Sequence, residues 1–135
     1  MGAGDCDPRA ALQLTREYGV SARLTFSNSL LREKHLADRK CNALCRLLTE
    51  SGGPPNGVIV HSELLLDFLK RQYPSLYFVS STTKVLTDFQ LFRQELERDD
   101  FLYVVPDFRL NKDFERLKAL PDNRKAKVEF LCNEC

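Results

Sequence analysis

The chain has 135 residues, of which 43% are hydrophobic and 29% charged, and its twenty Lys and Arg against nineteen Asp and Glu leave a formal charge of +1. Length and composition fit one globular domain, and the balanced charge gives no electrostatic reason to expect nucleic acid or an anionic membrane as a partner. No apolar run approaches the roughly 20 residues of a membrane span, and no stretch reads as a signal peptide, so a cytoplasmic setting is expected.

Residues 1–7 are small and polar and read as a disordered N-terminus, with a single α/β domain expected over 8–135. Asp7-Pro8 is a helix entry, with Asp as cap and Pro at the first helical position, and Gly19 ends that helix. Five strand-like segments follow: Arg23 to Ser27, Gly57 to His61, Leu76 to Ser80, Phe101 to Val105 and Lys127 to Leu131. Several are nearly continuous in apolar and β-branched residues, as in strands covered on both faces.

Helical patterns lie between them. Glu33 to Ser51 carries a Leu36, Cys41, Leu44, Leu48 stripe and stops at Gly52-Gly53. Ser62 caps a second helix with Leu65, Phe68 and Leu69 inward. Thr87 and Gln90 have the spacing of a capping box, with Phe89, Phe92 and Leu96 on the apolar side. Asn111 opens a short helix with Phe114 and Leu117 inward, and Pro121 closes it. The order α-(βα)4-β implies right-handed crossovers and a parallel five-stranded sheet. Two architectures fit: the first part of a (β/α)8 barrel, a half TIM barrel, and a flavodoxin-like doubly wound sheet.

In either architecture ligands gather at the carboxyl ends of the strands. There the sequence places Asn28 after the first strand, His61 after the second, Ser81, Thr82 and Thr83 after the third, Asp107 and Arg109 after the fourth, and Cys132 to Cys135 after the fifth. His61, Asp107 and Glu134 are the candidate acid–base or ligand groups, since imidazole and carboxylates on one rim can move protons. Asn28, Ser81 and Thr82 are the candidate substrate-binding groups. Each of these residues also suits a turn or a cap at that position.

The five cysteines are Cys6, Cys41, Cys45, Cys132 and Cys135, an odd number that suits reduced thiols better than a full disulfide framework. Cys41 and Cys45 fit a helix stripe as small core hydrophobes. Cys132 and Cys135 have the spacing of half a zinc site or a redox pair, so a divalent metal is the cofactor this pair admits, provided another chain completes the ligand set. No GxGxxG, GxxxxGK[ST], HExxH or GxSxG motif occurs.

From about Gly57 onward, the strand Gly57 to Val60, the Ser81-Thr82 pair ending the next strand, and the Val128 to Cys135 segment leading to a Cys-containing turn follow one another in an order that resembles the bacterial collagenase-like peptidase family. Leu24 to Asn28 is similar to a segment of related uncharacterised barrel proteins. The resemblance implies a TIM-barrel core and, less directly, peptidase activity. On this reading the chain is an N-terminal half barrel with a hydrolase- or lyase-like site, completed by a second chain or by self-association. The other readings are a non-catalytic doubly wound binding module and a zinc or thiol protein built on Cys132 and Cys135.

Overall fold

The computed structural model describes residues 7–132. The chain opens with α1 (Pro8–Glu17), capped by Asp7, whose side chain accepts from Arg9 N, and Gly19 ends the helix region at φ +64°. Then come β1 (Arg23–Phe26), α2 (Glu33–Leu36), α3 (Arg39–Glu50), β2 (Gly57–Val60), α4 (Glu63–Gln72), β3 (Tyr77–Ser80), a 3-10 turn at Thr82–Lys84 and α5 (Phe89–Glu97). The last elements are β4 (Tyr103–Val104), a 3-10 helix at Phe108–Lys112, α6 (Phe114–Lys118) and α7 (Asp122–Lys125).

All strand pairs are parallel, and the strand order is β1-β2-β3-β4. This corrects two expectations. The order never doubles back, whereas a flavodoxin-like sheet needs a reversal next to its first strand. Among the described residues the sheet also has four strands, not five: the Lys127 to Leu131 segment contributes a single parallel bridge there, Val128 to Val104. The reason lies next door. β4 is only two residues long and runs into Pro106, which has no N–H to extend a ladder.

Three helix boundaries also differ from expectation. The predicted helix over Glu33 to Ser51 is broken at Ala37-Asp38, because Asp38 turns its carboxylate onto Cys41 N at 2.8 Å and starts α3 afresh. Asp88, not Thr87, caps α5, accepting from Gln90 N and Leu91 N. Asp107 caps the 3-10 helix that occupies the Asn111 position, and Phe114 points largely to solvent.

The strands present two unlike faces. Leu24, Phe26, Val58, Val60, Phe78 and Val104 share one face through the register. That face packs against Cys45, Leu48, Leu66, Leu69, Phe92 and Leu96 in one buried cluster. A strand order that always steps to the next neighbour, with right-handed crossovers, puts every crossover helix on the same side. The crossover helices therefore cover one face, while on the other Val79 is buried all the same. Among the described residues the second face carries Arg23, Thr25, Ile59, Tyr77, Val79 and Tyr103.

This second face is concave. Arg23 Nη1 donates to both oxygens of Glu129 at 2.7 Å. Glu129 follows Val128, so the pair spans four strand positions. In a flat sheet that span is roughly 19 Å, more than the two side chains bridge. The Arg23 guanidinium also lies 5.5 Å from the Tyr77 ring centre and 5.0 Å from that of Tyr103. Tyr77 reaches it by lying over β2 at Gly57, where a Cβ would meet the ring at 2.3 Å. Asn56, just before β2, is buried with both ends of its amide used: Oδ1 accepts from Ala22 N and Nδ2 donates to Leu48 O and Ser51 Oγ. It ties the end of α3 to the start of β1.

Candidate functional site

The carboxyl ends of β2 and β3 meet in a series of polar side chains. His61 Nδ1 lies 2.9 Å from Thr83 Oγ1, and Thr83 Oγ1 lies 2.8 Å from Ser81 Oγ. Thr83 N also donates to Ser81 Oγ at 3.2 Å. Two arrangements of protons satisfy every contact: Ser81 O–H donates to Thr83 Oγ1 and Thr83 O–H to His61 Nδ1, or His61 Nδ1–H donates to Thr83 Oγ1 and Thr83 O–H to Ser81 Oγ. In the first, the one that makes Thr83 a proton donor to the imidazole, the ring carries its proton on Nε2, which makes no hydrogen bond among the described residues. Ser81 is buried, His61 half-buried and Thr83 exposed, so the series runs from the interior to solvent.

Local chain geometry holds this series in place. Ser62 caps α4 directly after His61, accepting from Leu65 N. Ser81 caps the 3-10 turn that presents Thr83. That turn closes at Val85, with φ +52°, a conformation in which a β-branched side chain is strained. A charge network anchors the same turn from beneath. Lys84 Nζ donates to Glu95 at 2.6 Å and to Glu63 at 3.0 Å. Buried Ser80 Oγ donates to Glu95 at 2.6 Å. Arg98 holds Glu63, Glu95 and Asp100, and Lys70 pairs with Asp100. Three cations here face three carboxylates.

The pairing sets the protonation of these acids. Hydrogen bonds from Arg98 lead the shift of Glu63, whose pKa falls to about 2. Burial pushes Glu95 upward, and the bonds from Lys84 and Ser80 outweigh it, leaving a net lowering. The bond from Lys70 holds Asp100 below the usual range. A neutral network with every acid paired offers no free base, and it serves as a brace for the turn.

The sequence-predicted residues divide. His61 and Ser81 are brought together, through Thr83. Thr82 sits one residue away, its carbonyl accepting from Val85 N, and its side chain is outside the series. Asn28 is exposed and accepts from Leu30 N at 2.9 Å, a turn role. Asp107 is buried at 7% exposure and fully engaged: it caps Arg109 N at 3.0 Å and binds Arg109 Nη1 through both oxygens at 3.0 Å. It makes no hydrogen bond with His61. Glu134 and Cys135 lie outside the described residues. Cys132 is exposed, its thiol 3.8 Å from Phe130 O. Among the described residues no group of three or more His, Cys, Asp or Glu is placed to hold a metal ion. Cys45 is a core residue as expected, and burial raises its thiol pKa to about 11, so it is unreactive near neutrality. No helix among the described residues is long and apolar enough to cross a membrane.

Thr83 is the residue that joins the predicted groups, and its signal was its place in the run of four hydroxyl residues from Ser80 to Thr83. Arg23 and Glu129 gave only a weak signal, as charged residues inside apolar strands. Comparison with family models, with curated proteins and with solved structures finds no match to this chain.

Proposed function

We propose that this chain is a (β/α) half-barrel unit with a hydrolase-like proton-transfer site at the carboxyl ends of β2 and β3. The observation that carries this reading is the His61–Thr83–Ser81 series. An exposed hydroxyl in contact with an imidazole nitrogen is the arrangement that activates an oxygen nucleophile. The half-barrel part rests on the sequential strand order, the single helical layer and the curl imposed by Arg23 and Glu129. The resemblance to the collagenase-like peptidase family points toward hydrolysis of an acyl bond.

In this mechanism Thr83 Oγ1 attacks an acyl carbon. Its proton passes to His61 Nδ1 as the new C–O bond forms, and the leaving oxygen departs with the electron pair of the broken bond and takes that proton from His61. Water then attacks the acyl-threonine ester, its proton passes to His61 Nδ1, and His61 returns it to Thr83 Oγ1 as the C–O bond to threonine breaks and the acid is released. Ser81 O–H steadies the charge that develops on Thr83 Oγ1. Asp107 shapes the neighbouring loop and holds Arg109.

The test uses 4-nitrophenyl acetate with the full chain. The reading expects 4-nitrophenolate release at least about 100-fold faster than free imidazole at equal concentration, the lower end for positioned acid–base catalysis. His61→Gln and Thr83→Val should each abolish the excess. Release no faster than imidazole, or unchanged by both substitutions, contradicts it.

A further inference from the structure

Asn56 is the one asparagine of the chain that is followed by glycine. Glycine has no side chain to shield its backbone nitrogen, so this dipeptide is where an asparagine amide most readily cyclises onto the chain. The fold demands both residues, for separate reasons. Gly57 lies under the Tyr77 ring, which leaves no room for a Cβ. Asn56 must be an amide, because Oδ1 accepts from Ala22 N at 2.8 Å while Nδ2 donates to Leu48 O at 2.9 Å and to Ser51 Oγ at 2.7 Å. Two structural needs thus set a chemically labile pair at the start of β2.

The same contacts keep the pair inert. Cyclisation requires Gly57 N to lose its proton and reach Asn56 Cγ. In the fold Gly57 N donates to Ala22 O at 2.9 Å, and the Asn56 carbonyl accepts from Tyr77 N at 3.2 Å, so the peptide between the two residues is held. The side-chain amide is pinned by its three hydrogen bonds and is 6% exposed, which bars both rotation onto Gly57 N and the entry of water.

We propose that Asn56-Gly57 is a modification site that folding shuts and unfolding opens: in the unfolded chain Asn56 converts to aspartate and isoaspartate, and the converted chain no longer regains the native stability. In the first step Gly57 N bonds to Asn56 Cγ and the Cγ–Nδ2 bond breaks. The leaving nitrogen keeps that electron pair, takes up the proton that Gly57 N lost, and departs as ammonia, leaving a succinimide. Water then adds to one imide carbonyl. Cleavage of the bond between Cγ and the ring nitrogen gives aspartate. Cleavage at the main-chain carbonyl of residue 56 gives isoaspartate, with the chain rerouted through the side chain. Aspartate has no donor for Leu48 O and sets a charge in a buried position. Isoaspartate lengthens the backbone just ahead of Gly57, which pairs with Arg23 and Tyr77, and so throws β2 out of register with both neighbours. Unfolding then becomes irreversible through chemistry. The proposal does not depend on the rim chemistry.

Peptide mapping of the full chain tests this. The protein, kept reduced, is held at mildly alkaline pH in concentrated urea or in buffer alone, and the amide-to-acid mass change at Asn56 is followed. Conversion should be about 100-fold or more slower in the native protein, as a small unfolded population implies. On dilution from urea, the fraction that regains the wild-type unfolding midpoint should fall in step with conversion. Gly57→Ala, followed in urea where folding plays no part, should convert several-fold more slowly. Equal conversion in native and unfolded chains, converted chains that regain the wild-type midpoint, or a Gly57→Ala chain converting as fast as wild type would each overturn the proposal. So would loss of refolding with Asn56 intact.

Discussion

Arg23 and Glu129, 106 residues apart in the chain, meet at 2.7 Å across the concave face of the sheet. The contact joins the first strand to the segment beyond the last, with two tyrosine rings packed against the guanidinium between them. Arg23→Met removes the ion pair and both ring contacts. It should cost about 1–2 kcal/mol, the low end expected for a partly exposed pair plus cation–π contacts. Glu129→Gln should cost less. Urea denaturation measures both, and the double variant should lose less than the sum of the singles. Additive losses would mean that the two side chains act separately.

Gly57 is required by a neighbour's ring and not by its own backbone conformation. A Cβ there would sit 2.3 Å from Tyr77 Cε2. Gly57→Ala must push the ring off Ser21 and Arg23, and overpacking of this kind costs about 1–3 kcal/mol. In a Tyr77→Ala background the same substitution should be nearly neutral. An equal loss in both backgrounds would place the strain elsewhere.

Val85 holds φ +52° with its side chain mostly in solvent. A left-handed conformation costs an L-residue about 1–2 kcal/mol, and Asn tolerates it best among residues with a side chain. Val85→Asn should therefore raise stability by about 1 kcal/mol and leave the Thr83 geometry intact. An unchanged or lower unfolding midpoint contradicts this.

The acid limb of stability should follow the brace beneath the rim. Glu63, Glu95 and Asp100 all have pKa values lowered by folding. A depressed carboxylate stabilises the fold above its unfolded pKa, and the contribution is lost as pH falls through the folded value. For Glu63 that window runs from 4.5 down to about 2. The unfolding temperature should thus fall between those values, and Glu63→Gln should flatten the slope. A slope unchanged in that variant would assign the acid sensitivity to other groups.

The strand cores and caps were legible because local chemistry fixes them. Val58 to Val60 has little alternative to a buried strand, Asp7-Pro8 and Ser62 cap the helices they precede, and Gly19 ends α1. The break at Asp38 was not legible, since an apolar stripe passes through it and only the side-chain bond to Cys41 N divides the helix. The fifth strand failed for a nonlocal reason: its sequence suits a strand, but β4, its neighbour among the described residues, stops short of Pro106. At the site, chain order placed His61 and Ser81 on adjacent strand ends. Which of three consecutive hydroxyls would meet the imidazole depended on the turn that Ser81 caps and Val85 closes. The pairing of Asp107, a candidate acid, base or ligand, with Arg109 was not legible, because Arg109 is two residues on and binds it only through the cap geometry.

The account turns on the direction of the bond between Thr83 and His61. Nitrogen-15 NMR of the imidazole reads it directly in the neutral form. The account predicts that His61 carries its proton on Nε2, with Nδ1 bare and accepting from Thr83, and that Thr83→Val allows the other tautomer to appear. A proton found on Nδ1, or a tautomer balance identical in wild type and Thr83→Val, would contradict it.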